Sequence, residues 1–523
     1  MRIGIDVGGT HTDAVLLHDD EVVATTKALT SADVTGGILD ALEAVLSDSG
    51  VAGDSIEAVM LGTTQFTNAV VARRELSEVA AIRIGLPSGD GLPPKIGWPD
   101  DLSRSLGDHT YMIRGGYLYD GRPLASLDDD EVDAVVGDLQ HKHISAVAIS
   151  SAFSPMNPEP EIQVADKIRA AIPDIRITLS HKIGRLGILE RENAALLNSA
   201  LLEFADNIIA SFARALTNRG LKCPFFVSQN DGTLMDAEFV RNFPALTFAS
   251  GPTNSLRGAS RLTGLDNAIV VDIGGTTSDI GVLQDGFPRE SNAVIEVGGV
   301  RTNFRMPDIL TIGLGGGSIV ADDGWRIGPQ SVGYRLVEEA LVFGGQTLTA
   351  TDLIVAAGAA NIGDAEFVDA LDREIVANGT ATILRMLDQG IERMKPGSEP
   401  LPIVLVGGGS VLVTEKLRAA SEMLCPDYAG VANAIGAAIA QIGGEAERLV
   451  SYRDLPREEA IKQVTREAVG LAQAAGADAA TIKVVDIEET SISYMDEGAT
   501  RLRIKAVGEI ASLSQLESAR ERP

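Results

Sequence analysis

One short pattern occurs twice, half a sequence apart, and it dictates most of what this chain can fold into. The first copy reads Ile5-Asp6-Val7-Gly8-Gly9-Thr10-His11-Thr12-Asp13, the second Val271-Asp272-Ile273-Gly274-Gly275-Thr276-Thr277-Ser278-Asp279. Each follows an apolar β-type run and leads into another, Ala14-Val15-Leu16-Leu17 and Ile280-Gly281-Val282-Leu283. Both therefore read as strand–glycine turn–strand hairpins, one per half. Glycine lets the backbone take positive φ and approach a ligand without a Cβ clash. Successive N–H groups in such a turn form an anion-binding nest, and Thr10, Thr12, Thr276 and Thr277 add hydroxyls. A lone copy could equally be a plain hairpin. Two copies with matched acids point to a cleft that grips a nucleotide phosphate tail from both sides, with Gly8, Gly9, Thr10, His11 and Thr12 on one wall and Gly274, Gly275, Thr276 and Thr277 on the other.

The acids in the pattern carry the chemistry. Asp6 and Asp272 stand at the strand ends, where they would hold Mg²⁺ directly or through water, since Mg²⁺ takes oxygen ligands and keeps part of its hydration shell. Asp13 and Asp279 complete the candidate catalytic set. The formal charge of −29 makes a counter-ion necessary for an anionic ligand such as ATP, and it argues against nucleic-acid binding.

Composition narrows the class. Aromatics are 4% of the 523 residues while glycine numbers 55, which favours an Ala/Val/Ile/Gly-rich α/β protein of two to four domains. The two cysteines, Cys223 and Cys425, allow no metal-type spacing and fit a reduced, cytoplasmic compartment. The first strand begins at Arg2, so no signal peptide is expected. No stretch of about 18 uncharged apolar residues occurs, so no membrane span is expected.

Along the chain, helical periodicity covers 33–47, 128–140, 161–171 and a long run from Leu189 to Leu216. Further helices are expected at 332–342, 351–357 and 365–377. Residues 86–127, rich in Gly, Pro and Asp, read as a loop or lid. The expected domains are 1–182, with the first phosphate loop, then 183–445, with the second, then a small α+β appendage over 446–523. In the last, a charged helix (456–475) precedes strand-like runs at 482–487 and 501–506.

A third glycine turn follows the buried run Val404-Leu405-Val406. Gly407-Gly408-Gly409 sits where α/β sheets bind nucleotides, at the carboxyl end of a strand, and as third in order it suits an adenosine. The small-residue segment from Gly430 to Gly443 reads as a connecting helix. This set resembles the actin, sugar-kinase and heat-shock-chaperone ATPase superfamily, whose fold is a two-lobed, duplicated ribonuclease H-like α/β architecture. Within it the chain resembles the hydantoinase/oxoprolinase family, in particular its hydantoinase A-type subunit. The supporting strings include Gly62-Thr63-Thr64 with Thr67-Asn68-Ala69, Ser180-His181, Glu190-Arg191 with Leu197-Asn198, Gly315-Gly316-Gly317-Ser318-Ile319, Ile327-Gly328-Pro329-Gln330-Ser331 and Thr349-Ala350-Thr351-Asp352.

The resemblance implies ATP- and Mg²⁺-dependent opening of a cyclic amide or imide through a phosphorylated carbonyl, with a separately encoded second subunit as partner and possible homo-oligomers. The competing readings are a small-molecule kinase and a non-catalytic actin- or chaperone-like module. Two positions depart from the family: Leu61 stands where a histidine is usual, and His11 replaces an aromatic. Gly315 and Gly316 could approach the phosphates or form only a tight turn. Ser180-His181 beside Glu190-Arg191 could orient substrate, or serve as caps and ion pairs. His141-Lys142-His143 reads as a solvated helix end.

Overall fold

The computed structural model describes residues 1–8, 11–19, 21–29, 34–291, 294–453, 455–492, 499–511 and 515. Gly9 and Thr10 lie outside the described residues.

Two sheets carry the repeated hairpins. In the first, β1 (Arg2–Val7) runs antiparallel to β2 (His11–His18) and parallel to β4 (Ala58–Thr63), and β3 (Glu21–Leu29) borders β2. β4 is buried along its whole length, the expected state of a central parallel strand covered on both faces. The second sheet repeats the plan. Ala268–Ile273 runs antiparallel to Ser278–Gln284 and parallel to Leu401–Val406. The register is equivalent in the two copies, with Asp6 opposite Asp13 and Asp272 opposite Asp279.

The first sheet has nine strands drawn from distant parts of the chain. Beyond β4 come Phe225–Ser228, Leu234–Asp236, Ile442–Ser451, Ala499–Gly508 and Lys483–Ser491. The C-terminal α+β segment thus extends the first lobe's sheet, through ten paired positions between Ile442–Ser451 and Ala499–Gly508, and its helix Arg457–Ala474 packs over these strands. The whole is a two-lobed actin-like ATPase fold.

A third, four-stranded parallel sheet stands apart, in the order His109–Arg114, Ala80–Leu86, Ala146–Ser151, Arg176–Leu179. Residues 86–127, expected to be loop, therefore contain an edge strand and the short helix Asp100–Ser105. His109–Arg114 has one fully buried residue, so it lacked the apolar signal of its neighbours. The helix expected at 365–377 begins instead at Arg373 and runs to Met394, because the Asp372 side chain accepts from Glu374 N–H and caps it there. The expected helix at 332–342 resolves into short turns and the single turn Leu336–Glu339.

Candidate functional site

The two hairpins bring four carboxylates together. Asp6, 4% exposed, accepts at Oδ1 from Asn254 Nδ2 (3.2 Å) and at Oδ2 from Asn433 Nδ2 (3.0 Å). The same Asn433 amide reaches Asp13 Oδ2 at 3.1 Å. Asp272 accepts from Ser255 Oγ at 2.5 Å, and Asp279 from Thr311 Oγ1 at 2.5 Å. Lys27, on β3, donates to Asp13 Oδ1 (2.7 Å) and to the Gly430 carbonyl (3.1 Å). It is the cation the strand pattern did not reveal.

The glycine turns close in the same way. Gly8 N–H donates to the His11 carbonyl (3.0 Å), and Gly274 N–H to that of Thr277 (2.9 Å). Thr276 and Thr277 are exposed at the tip of the second turn, whereas Thr12 is buried beneath the first. Gly407, at φ +82°, donates to the Ala429 carbonyl, and Gly409 to that of Ile273. The third turn therefore hangs on the second hairpin's strand. A Cβ on Gly408 would lie 4.0 Å from Lys27 Cε, so this turn also borders the first lobe.

Gly315 and Gly316 have a different position. Gly316 N–H donates to the Gly274 carbonyl (3.0 Å), Gly317 N–H to that of Gly275 (2.7 Å), and Gly315 N–H to Ser318 Oγ (2.8 Å). The Gly316 and Gly317 amides are thus committed to the second turn, and the Gly315 amide to Ser318. Thr351, from the Thr-Ala-Thr-Asp string, donates in turn to the Gly316 carbonyl (2.9 Å), and Asp352 caps its own helix at Thr349.

Close backbone contact sets this geometry. A Cβ on Gly62 would lie 2.1 Å from Asp6 Oδ1, and one on Gly407 2.2 Å from Asp272 Oδ1. Each strand beside a hairpin thus has a glycine near its carboxyl end, under the hairpin's acid. Helices Ser250–Thr263 and Ala432–Ile439 deliver the two asparagines, and they cross at glycine. A Cβ on Gly258 would lie 1.8 Å from the Ala432 carbonyl, and one on Gly436 1.8 Å from that of Asn254. Leu61 points away from all this: it is 1% exposed within the first lobe's core. A side chain at 61 faces that core rather than the acids, on the opposite side of β4 from Gly62.

Burial raises the carboxyls. Desolvation, with Asp13 and Asp272 nearby, lifts Asp6 to about 6 against the hydrogen bonds from Asn254 and Asn433. Desolvation and the Asp272 charge lift Asp279 to about 6. Asp272 is raised by the same burial. His11 is held below the usual imidazole value by burial and by Lys27.

An all-oxygen acid set suits Mg²⁺, and burial favours the protonated carboxyls until a counter-charge joins them. Among the described residues no group of three or more His, Cys, Asp or Glu side chains forms a ready-made metal site. Carboxylates with amide and hydroxyl partners are the kind of donor Mg²⁺ takes when it keeps part of its water shell.

Arg191 is fully buried, donating to Ser180 Oγ (2.9 Å) and to the carbonyls of Ser151, Arg185 and Leu186. Lys142 pairs with Asp138 at the exposed helix end. Both cysteines are free. Sequence reasoning missed Lys27, Asn254, Ser255, Thr311 and Asn433. Asn433 alone had a signal, as the one polar side chain within Val431 to Ala438.

Two duplicated hairpins, a third glycine turn and crossed connecting helices define the two-lobed actin-like fold. Family models described as the hydantoinase/oxoprolinase N-terminal region and as hydantoinase/oxoprolinase match residues 2–172 and 191–376, and the chain belongs to this family. It is 26% identical over 477 residues to the caprolactamase subunit alpha of Pseudomonas jessenii, covering 81% of this chain and 67% of that one. It is 26% identical over 397 residues to the acetophenone carboxylase gamma subunit of Aromatoleum aromaticum, covering 69% and 53%. The matches thus span from about half to two thirds of the relatives' lengths. Among solved structures, the ATP-dependent caprolactamase from Pseudomonas jessenii superposes with a TM-score of 0.80 at 20% identity, over 98% of this chain and 88% of that one. A nucleotide-free acetone carboxylase superposes with 0.68 at 18%, over the same shares. No helix among the described residues is long and apolar enough to cross a membrane.

Proposed function

We propose that this protein is the nucleotide-handling subunit of an ATP- and Mg²⁺-dependent enzyme that opens a cyclic amide or imide ring, such as a hydantoin, 5-oxoproline or a related lactam. The observation that carries the reading is the facing pair of acid-bearing turns, each with its aspartate seated over a glycine and tied by a side-chain donor. Amide resonance makes a ring carbonyl a poor electrophile. ATP supplies the phosphoryl group that turns the amide oxygen into a leaving group, with Mg²⁺ as counter-charge. The chain's part is to hold and orient. Asp6 and Asp272 take the cation, Thr276, Thr277 and the turn amides hold phosphate oxygens, and Gly407, Gly408 and Gly409 border the adenosine. Asn433 and Asn254 keep the Asp6 carboxylate aimed, and Lys27 offsets Asp13 until the nucleotide enters. The subunit names of the curated relatives support a second chain as partner.

The test is phosphate release over a panel of hydantoins, 5-oxoproline, lactams and thiohydantoins, with and without candidate partner subunits. Ring-opened product with stoichiometric phosphate is expected, and Asp272→Asn should abolish it. A stable phosphoester would instead mean a kinase. Turnover with a ketone and bicarbonate alone would favour a carboxylase subunit, the reading suggested by the acetophenone carboxylase relative.

A further inference from the structure

A second cavity, of 290 Å³, lies away from the phosphate turns. It opens between residues 93–98, the first turn of helix Ile188–Asn218 and the hairpin formed by Ile295–Val297 and Val300–Thr302. Its floor is the buried ion pair Arg83–Glu192, where Nε donates to Oε2 at 2.8 Å and Ser150 Oγ donates to the same oxygen at 2.7 Å. That pair is neutral and fully engaged. One wall is Trp98, 8% exposed, its Nε1 tied to Asn193 Oδ1 at 2.9 Å. Val300 and Leu189 add apolar surface.

The charges left over are the informative part. Lys95 is 9% exposed, and its amine donates to the Gly107 carbonyl. Among the described residues no carboxylate comes within ion-pair distance of it, and Asp108 acts on it only at longer range. Burial holds its ammonium below the ordinary lysine value. An ammonium covered in this way, with a carbonyl as partner and no carboxylate within ion-pair distance, is favoured by an anion beside it. At the mouth Glu296 is exposed and forms no ion pair among the described residues, while Glu190 is paired with Arg301 at 3.6 Å. The cavity thus runs from a covered cation, past an indole, to the carboxylate of Glu296.

We propose that this cavity binds a small aliphatic amino carboxylate, with its carboxylate on Lys95, its methylenes along Trp98 and Val300, and its ammonium at Glu296. Two sources share that chemistry. A free α-amino acid carries the two charges one carbon apart, whereas opening a simple lactam yields an amino acid with its charges at the two chain ends. The second source rests on the function proposed above; the binding does not.

Trp98 is a built-in reporter, because the chain holds only two tryptophans. Trp325→Phe leaves it alone, and the protein is titrated without nucleotide. The probes are alanine, glutamate, 4-aminobutyrate, 6-aminohexanoate, butyrate and butylamine, with calorimetry in parallel. Saturable change in Trp98 emission is expected with the amino carboxylates. Tighter binding of the end-charged set identifies the ring-opened source, and tighter α-amino acids the free one. Lys95→Gln should weaken amino carboxylates and butyrate alike, by about tenfold or more. Glu296→Gln, at an exposed position where folding is not at stake, should weaken only the amino carboxylates and remove their advantage over butyrate. No binding of any amino carboxylate by either method overturns the proposal, as does unchanged selectivity in Glu296→Gln or unchanged affinity in a folded Lys95→Gln protein. Absence of ATP-driven ring opening leaves these titrations untouched, so the two readings fail separately.

Discussion

Asp6 and Asn433 are 427 positions apart in the chain and meet at 3.0 Å. The same amide holds Asp13 at 3.1 Å, so one side chain from a connecting helix aligns two acids of the first hairpin. Asn433→Ala leaves both with one fewer donor in a buried site, at a cost of about 1–3 kcal/mol. Its thermal midpoint should fall and its affinity for Mg·ADP should drop by about tenfold or more. Asn433→Asp should be worse on both counts, since it adds a negative charge where two already crowd. Equal Mg·ADP affinity in Asn433→Ala, by calorimetry, would remove the aligning role.

The raised acids make stability depend on pH in a defined window. Burial lifts the Asp6 and Asp279 carboxyls to about 6 in the folded protein, above the ordinary aspartate value of 3.8. The folded state holds their protons more tightly, so the associated stability is full below about pH 4 and is lost as pH rises through about 6. Each contributes at most about 3 kcal/mol across that range. His11, held below the usual imidazole value, works in the opposite direction as pH falls below its unfolded value. Comparison with Asp6→Asn isolates the carboxyl: in EDTA, melting between pH 4.5 and 7.5 should fall less steeply in the variant. Divalent-cation affinity of the native protein should rise over the same interval. Identical slopes in the two proteins would contradict the assignment.

Lys27 offsets the acids from the first lobe while touching the Gly430 carbonyl beside the connecting helix. Lys27→Met leaves Asp13 without its ion pair and makes the cleft more negative. The sign of the effect differs between ligands. Free Mn²⁺ should bind more tightly, and nucleotide without metal more weakly, each by several-fold. A loss of both affinities together would mean that Lys27 matters only for folding.

The fold was legible where chemistry repeats. The hairpins announce themselves because an acid, two glycines and a threonine recur between apolar runs, and the register of Asp6 against Asp13 follows from a tight turn between them. The edge strand His109–Arg114 was hidden because most of its residues are only half-buried, leaving no apolar run. The asparagines and Lys27 were hidden for another reason. Their roles depend on which distant elements meet, and no local spacing encodes a contact between residue 6 and residue 433. The Leu61 departure shows the converse. Sequence marked it as a departure beside Gly62, and strand alternation turns its side chain into the core, so adjacency along a strand separates side chains rather than joining them.

The connecting helices supply the most demanding test, because their contact has no room to yield. A methyl at Gly436 would meet the Asn254 backbone carbonyl at 1.8 Å, and one at Gly258 that of Ala432 at 1.8 Å. Backbone atoms cannot rotate aside as a flexible side chain can, so the helices must separate. Asn254 and Asn433 ride on those helices, and both hold Asp6. Gly436→Ala should therefore do two things at once. It should destabilise the protein by about 1–3 kcal/mol through overpacking, and it should weaken Mg·ADP binding beyond what Asn433→Ala does alone, since both amides move. Gly430, whose Cβ would meet nothing within 4 Å, is the control on the same segment; Gly430→Ala should change neither property. If Gly436→Ala melts lower yet binds Mg·ADP normally, the crossing holds the lobes together without aligning the acid.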